Sequence, residues 1–253
     1  MTGLVTAGAL AARLARAGCV AADDEAAELL ATTDDGAALE ALVRRREQGE
    51  PLAWLVGATT FCGRRLAVHR GCYVPRGQSE PLARRAADVL PAGGRLADLC
   101  TGAGAVAAHA AGAVPSAVAV GTDLDPAALA CARANGVRAV RADLAGGLAG
   151  GVFDVVTAVA PYVPTADLAF LPSDVRRFEP LAALDGGPDG CTTLRRVVEA
   201  AARLLRPGGT LLVELGGDQD EVLAPTLLAS GFASWSTWHD EDGDLRGLAA
   251  RRD

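Results

Sequence analysis

The sequence contains no lysine, so all 24 of its basic residues are arginines. Chemistry that depends on a lysine amine is therefore excluded, including Schiff bases, anchored pyridoxal phosphate and a lysine-containing phosphate loop. Asparagine is almost as scarce, because Asn135 is the single one in the chain. Any site that requires an asparagine amide has only this residue to draw on.

Cysteine and histidine are present without the spacing of metal ligands. The six cysteines include no Cys-x-x-Cys pair, and the three histidines lie far apart in the sequence. Metal ligands usually come in short-spaced pairs, so we expect no metal site. We expect the cysteines to be reduced and mostly buried, because disulfide frameworks are typical of shorter secreted chains.

Long apolar runs and an excess of basic charge are also missing. No stretch approaches the ~20 consecutive apolar residues of a membrane span. The N-terminus lacks the basic start of a signal peptide. The net charge is −7 and the arginines are scattered, which argues against nucleic acid as the main partner. We expect a cytoplasmic protein with no membrane or nucleic-acid partner; the oligomeric state is not predicted.

Three regions differ in pattern. Residues 1–55 repeat Leu and Ala at helical spacing and predict a small helical domain. Residues 56–81, rich in glycine and β-branched residues, predict a linker with a hairpin over 59–61 and 65–68. Residues 82–253 alternate apolar strands with helices, which predicts an α/β domain with a parallel, doubly wound sheet. Ligands of such sheets bind beyond the carboxyl ends of the strands.

The last part of this domain has two distinct patterns. Residues 191–209 predict a long helix closed by Pro-Gly-Gly. Residues 233–240 and 245–252 predict a terminal antiparallel pair of strands.

A glycine turn follows the first strand of the predicted sheet. Gly102 and Gly104 permit a tight turn and close approach of a ligand. Alone, this turn fits NAD, a flavin or S-adenosylmethionine (SAM). The next strand ends at Asp123, where an acid can accept ribose hydroxyls, and the third ends at Asp143, near where an adenine amino group would lie. The second acid favours SAM, although helix capping is an alternative role for both aspartates.

Five segments follow one another along the chain: VPRGQSE (74–80), DLCTGAGAVA (98–107), TDLDPAALACARANG (122–136), APYVP (160–164) and FEPLAALDGGPDG (178–190). Their order and spacing resemble the HemK/PrmC protein-glutamine methyltransferases. Members of that family carry Ile-Pro-Arg-Pro-Glu-Thr-Glu, Asp-Leu-Gly-Thr-Gly-Ser-Gly, Asn-Pro-Pro-Tyr-Ile-Pro and Glu-Pro-x-x-Ala-Leu-Asp-Gly-Gly-x-Asp-Gly.

The resemblance implies a Rossmann-like class I SAM-dependent methyltransferase with a seven-stranded sheet. The small N-terminal helical domain would recognise the substrate, as in the family. The implied cofactor-binding residues come from the glycine turn, the two strand ends and the Pro-Arg loop: Asp98, Cys100, Thr101, Gly102, Gly104, Asp123, Leu124, Asp143, Leu144, Arg76 and Glu80.

The first residue of the fourth segment and the residue before it depart from the family. Alignment of Pro161 and Tyr162 with its Pro-Tyr puts Val159 at the catalytic asparagine and Ala160 at the first proline. In the family that asparagine holds a glutamine amide, whose nitrogen is a poor nucleophile because its lone pair is delocalised. Valine offers no hydrogen bond, and losing one such bond costs about 2–4 kcal/mol of transition-state stabilisation. The candidate catalytic residues are Val159, Ala160, Pro161, Tyr162 and Glu179.

Glu179 has an alternative role as an ion-pair partner of Arg176 or Arg177. Three functions follow from the changed motif. The first is SAM-dependent methylation of a nucleophile other than the glutamine amide, in a small molecule or peptide. The alternative is methylation of a glutamine amide in a release factor or another protein. The second alternative is SAM binding without methyl transfer. A protein-docking module and an NAD-dependent oxidoreductase are the rival classes.

Overall fold

A computed structural model describes residues 6–253, so residues 1–5 of the predicted N-terminal domain lie outside the described residues. The helices are α1 Ala7–Arg16, α2 Ala22–Thr32, α3 Gly36–Glu47, α4 Leu52–Val56, α5 Glu80–Val89, α6 Ala105–Ala113, α7 Pro126–Ala134, α8 Ser173–Phe178, α9 Thr192–Leu204 and α10 Gln219–Ala229. The strands are β1 Ala58–Phe61, β2 Arg64–Ala67, β3 Arg95–Leu99, β4 Val118–Asp123, β5 Arg138–Arg141, β6 Phe153–Ala158, β7 Leu205–Glu214, β8 Trp235–His239 and β9 Leu245–Arg251.

The N-terminal helices α1–α4 pack on one another through their own apolar cluster, in which Leu14 and Leu29 are fully buried. Their Ala- and Leu-rich sequences favour helix formation. Arg13 of α1 lies 2.7 Å from Glu40 and 3.0 Å from Glu47 of α3, and so ties the two helices together. A role of this region in acceptor recognition stays a prediction.

The seven-stranded sheet has the order β5-β4-β3-β6-β7-β9-β8. The first five strands are parallel to one another, and β9 runs antiparallel to both of its neighbours, β7 and β8, as predicted for the terminal pair. Separate apolar clusters cover the two faces, one including α9 and α10 and the other α5 and α6. Successive strands extend outward in opposite directions from β3 and β6, so a crevice opens at the carboxyl ends of these two strands.

The predicted helix over 191–209 is wrong at its end. Helix α9 stops at Leu204 and β7 begins at Leu205, so Pro-Gly-Gly lies inside a strand. The pairing of β6 with β7 shifts register between Phe153 and Val155, opposite this segment, and Gly208 has φ of +76°. A bulge of this kind uses the same residues that would otherwise end a helix.

The linker hairpin pairs β1 with β2 in antiparallel register, as predicted, and three of its four limits lie one residue earlier than predicted. Across residues 6–253, no helix combines the length and the apolar character needed to cross a bilayer.

Candidate functional site

Asp98 lies at the end of β3 and joins the glycine turn to the neighbouring strand. Its Oδ2 accepts a hydrogen bond from Thr101 at 2.6 Å, and its Oδ1 accepts one from Thr157 of β6 at 2.6 Å. The residue is only 2% exposed. Burial raises the pKa of Asp98 from 3.8 to about 6, while the two threonine hydroxyls oppose that shift. Asp98 therefore positions the glycine turn, which is the predicted cofactor-binding turn.

The raised pKa of Asp98 predicts that the free energy of unfolding depends on pH, and Asp98→Asn should remove this dependence. The folded state holds the Asp98 proton up to a pH of about 6 and the unfolded chain only up to 3.8, so this contribution is complete below 3.8 and is lost as pH rises through about 6. The stability advantage of wild type over Asp98→Asn should fall by on the order of 3 kcal/mol across this interval. Denaturant unfolding at several pH values measures it.

The exposed Asp143 offers a matched control for that series. Its carboxylate is about half exposed, with a side-chain exposure of 53%, so Asp143→Asn should change stability by no more than about 0.5 kcal/mol at each pH. A wild-type minus Asp98→Asn difference that stays flat with pH would contradict the role assigned to burial of Asp98.

The glycine turn and the acid after β4 touch each other. Gly102 N–H donates to Asp123 Oδ2 at 2.9 Å, and Asp125 N–H donates to Asp123 Oδ1 at 2.9 Å. Gly102 and Gly104 both have positive φ, +55° and +79°, which favours glycine. The helix-capping role belongs to Asp125, which accepts from Ala127 N–H at 2.8 Å at the start of α7. Asp123 is thus held at the crevice by the glycine turn and is not the helix cap.

The residues next to these two elements differ in character. Leu124 is 60% exposed beside Asp123, whereas Leu144 is buried. Cys100 is half-buried at the start of the turn, and burial raises the pKa of its thiol to about 12, so the thiol is neutral. Asp143 pairs with Arg196 at 2.7 Å on the surface. Contact of these four predicted residues with a cofactor stays a prediction.

Asn135, the single asparagine, clamps the linker hairpin to the glycine turn. Its Nδ2 donates to Ala67 O at 2.9 Å and to Ala103 O at 2.8 Å. Its Oδ1 accepts from Ala67 N–H at 2.7 Å. The side chain is therefore fully occupied at the end of α7 and does not replace the amide missing at position 159.

The changed motif lies at the carboxyl end of β6. The Val159 side chain packs partly buried against the apolar cluster that includes α5 and α6, and Ala160 is buried in the cluster on the opposite face. Tyr162 Oη donates to Glu214 Oε1 at 3.1 Å, and Gln78 Nε2 donates to Tyr162 Oη at 2.8 Å. Burial raises the pKa of the Tyr162 phenol, so the phenol is neutral. The polar groups at this end thus come from Tyr162, Gln78 and Glu214.

The segment 184–190 fixes the backbone of Tyr162 and Val163. Val163 N–H donates to Leu184 O at 3.0 Å, and Gly186 N–H donates to Val163 O at 2.8 Å. Gln219 Nε2 donates to Tyr162 O at 2.8 Å. A Cβ on Gly190 would lie 2.4 Å from Tyr162 O, so only glycine fits there. The glycine-rich motif therefore holds the tyrosine in place.

Glu179 forms an ion pair with Arg76. The alternative prediction, an ion pair with Arg176 or Arg177, is therefore wrong. The reason is that the loop before α5 crosses the strand ends and brings Arg76 to the buried Glu179 carboxylate, which also accepts from Val74 N–H at 3.3 Å. Burial raises the pKa of Glu179. A catalytic role of Glu179 and a cofactor contact of Arg76 stay predictions.

Glu80 ends the same loop and is engaged by protein groups. Its Oε1 accepts from Cys62 N–H at 2.7 Å, and its Oε2 lies 2.5 Å from Arg84. These contacts anchor the loop to the linker hairpin, and a contact of Glu80 with the cofactor stays a prediction.

Three residues at the site were not singled out from the sequence: Gln78, Glu214 and Gln219. Glu214 is an acid at the end of an apolar strand, the same signal that identified Asp123. Gln78 and Gln219 lie in polar stretches of no distinctive pattern. Within residues 6–253, no three His, Cys, Asp or Glu side chains are grouped so that they would hold a metal ion.

No protein-family model matches the chain. Similarity to curated proteins is extensive. A release factor glutamine methyltransferase of Geobacter sulfurreducens is 37% identical over 221 residues, which cover 85% of this chain and 78% of that protein. Proteins of the same name from Rhodospirillum rubrum and Gloeobacter violaceus are 37% and 39% identical, and the matches cover 87% and 75% of this chain and 70% of each relative.

Solved structures share the fold. The E. cuniculi Mtq2–Trm112 complex, described as responsible for methylation of the eRF1 translation termination factor, matches with a TM-score of 0.53 and 23% identity over 72% of this chain and 99% of that chain. A ribosomal protein L11 methylase of Lactobacillus delbrueckii matches with a TM-score of 0.52 and 18% identity over 74% of this chain and 84% of that chain. They confirm the predicted class I methyltransferase fold.

Proposed function

The chain belongs to the release factor glutamine methyltransferase family and is a SAM-dependent methyltransferase, and on that premise we propose that it methylates a glutamine side-chain amide in a translation release factor. The observation that carries the proposal is the 37% identity to the Geobacter relative over 85% of this chain. Val159 alone predicts another nucleophile, whereas the relatives favour the amide.

The residues at the glycine turn fit SAM. A Cβ at Gly102 would meet no atom within 4 Å, so open space lies in front of the turn backbone. The half-buried Asp123 carboxylate beside it suits ribose hydroxyls, and the exposed Leu124 offers an apolar surface to an adenine ring. We assign the cofactor to these three residues. When bound there, SAM supplies an electrophilic methyl group on a sulfonium sulfur.

The protein's part in the reaction is placement. A bound SAM would supply the methyl group and keep the electron pair of its S–C bond, while the acceptor nitrogen would form the new N–C bond and release one proton to water. A delocalised amide lone pair makes this step slow unless the amide is held in line with the methyl group. The fixed backbone of Tyr162, held by Gln219, gives the acceptor a rigid wall at the carboxyl end of β6.

A second candidate is the methylation of a better nucleophile, such as an amine or a phenol. Val159 favours it, because the side chain at the amide-binding position packs into an apolar cluster and offers no hydrogen bond. Such nucleophiles require no amide clamp, so the loss of the asparagine would not slow them.

A labelling experiment separates the two candidates. The protein is incubated with methyl-labelled SAM and, separately, with a bacterial release factor, free glutamine and small amines. We expect label in the release factor, at one glutamine located by peptide mass spectrometry. Replacing that glutamine with glutamate in the acceptor should abolish labelling. Label in the amines with none in the release factor would replace our proposal with the second candidate.

The N-terminal helices are the proposed docking surface for the protein acceptor. Arg177 near the site donates to Gln48 O at 3.3 Å, just after α3, so the bundle adjoins the segment between β6 and α9. A cytoplasmic location remains a prediction.

A further inference from the structure

At the carboxyl end of β6, the side chains at positions 159 and 160 cannot form hydrogen bonds with an amide. Both side chains are apolar, and both pack into the clusters that cover the sheet. If the acceptor is a carboxamide, as proposed above, any side chain that forms hydrogen bonds with it must come from another segment of the chain.

Such a partner lies directly above the motif. Gln78, in the turn before α5, donates through Nε2 to Tyr162 Oη at 2.8 Å and to Glu214 Oε1 at 3.4 Å. Gln78 is exposed, whereas Glu214 beneath it is only 2% exposed. The Gln78 carboxamide therefore lies at the open side of the site, although position 159 carries none.

The direction of the hydrogen bonds orients this carboxamide. Tyr162 donates its single hydroxyl proton to Glu214 Oε1, so it can only accept from Gln78. Gln78 therefore turns its Nε2 toward the tyrosine and has its Oε1 available as an acceptor. A glutamine amide presents the same donor and acceptor pair as asparagine, so it can pair with an acceptor amide through both groups.

Glu214 provides a second, independent indication of a ligand. Its Oε2 is buried and finds no hydrogen-bond partner among residues 6–253. Burial raises the pKa of Glu214, and the Ser79 hydroxyl nearby opposes that shift. Ser79 nevertheless gives Oε2 no hydrogen bond. A buried carboxylate oxygen without a donor is costly, and an amide NH₂ is a donor group that would satisfy it.

We propose that Gln78 and Glu214 together bind the acceptor amide and select it against a carboxylate, taking the place of the missing side chain at 159. Glu214 Oε2 accepts one N–H of the acceptor and Gln78 Oε1 the other. Both hydrogen bonds lie in the amide plane, so the nitrogen lone pair perpendicular to that plane stays unobstructed. A glutamate acceptor would bring its negative charge against Glu214 and is rejected. This assignment depends on the proposed function.

The test uses Gln78→Leu, which removes both amide groups from an exposed residue of similar size. We expect kcat/KM for release-factor methylation to fall by about 100-fold, while SAM affinity and melting temperature stay at wild-type values. Gln78→Asn keeps the amide on a shorter side chain and should recover part of the loss. Val159→Asn added to Gln78→Leu should restore at least about tenfold, because it returns a carboxamide to the same side of the site. Full activity of Gln78→Leu would overturn the inference.

A binding measurement separates this failure from that of the proposed function. With S-adenosylhomocysteine bound, the protein is titrated with a glutamine peptide from the release factor and with its glutamate counterpart. Wild type should prefer the glutamine peptide by about tenfold or more, and both Gln78→Leu and Glu214→Gln should lose most of that preference. Equal preference in wild type and Gln78→Leu would contradict the inference even if no methyl transfer is observed. Absence of transfer with the preference intact would count against the proposed reaction alone.

Discussion

Asp123→Ala is expected to bind SAM about 100-fold more weakly than wild type, a loss of about 2.7 kcal/mol. The substitution removes the carboxylate that accepts from Gly102 N–H and Asp125 N–H, each at 2.9 Å. The glycine turn then loses its fixed position, and the predicted ribose hydroxyls lose their acceptor. Calorimetric titration with SAM measures the affinity directly.

Asp125→Ser is the matched control for this variant. Serine keeps an oxygen for the Ala127 N–H at the start of α7 and leaves Asp123 in place. Its SAM affinity should remain within about twofold of wild type. A folded Asp123→Ala protein with unchanged affinity would mean that the ribose is bound elsewhere. A parallel titration with NAD should give no heat of binding.

Arg76→Ala is expected to lower the free energy of unfolding by about 3–5 kcal/mol. The Glu179 side chain is 2% exposed, and removing Arg76 leaves its charge buried without a cation. The remaining Val74 N–H supplies one hydrogen bond at 3.3 Å. Urea unfolding at neutral pH measures the loss. Because burial raises the pKa of Glu179, the loss should shrink in acid, where the carboxyl is neutral.

Two further variants test the cause of that loss. Glu179→Gln combined with Arg76→Ala removes the buried charge and should recover about 2 kcal/mol. Arg176→Ala, which changes an exposed arginine three residues before Glu179, should alter stability by less than about 0.5 kcal/mol. A large loss in Arg176→Ala, or none in Arg76→Ala, would reassign the partner of Glu179.

The sequence predicts the part of the site to which we assign the cofactor. An apolar strand, two glycines and an acid at the end of the next strand are local patterns, and adjacent parallel strands bring their carboxyl ends together. Asp123 and Gly102 therefore meet at 2.9 Å as the spacing suggests. The limits of α9 and β7 escape prediction because Pro-Gly-Gly ends a helix in one context and forms a bulge in another.

The proposed acceptor site is hidden from the sequence because its polar groups come from distant segments. Gln78 and Glu214 are separated by 136 positions and meet only through the loop that crosses the strand ends. Glu179 has two arginines close by in sequence, yet its partner is Arg76, 103 positions away. Local charge pairing is a weak guide where burial decides which ions must be neutralised.

The clamp formed by Asn135 depends on an intact side-chain amide. Asn135 precedes Gly136, but it is only 7% exposed and its amide is held by three hydrogen bonds, which protects it from attack by the next backbone nitrogen. Conversion to aspartate would turn the Nδ2 that now donates to Ala67 O and Ala103 O into an oxygen facing two carbonyl oxygens. Repulsion would then separate the hairpin from the glycine turn, so Asn135→Asp should lose SAM affinity before it loses its fold.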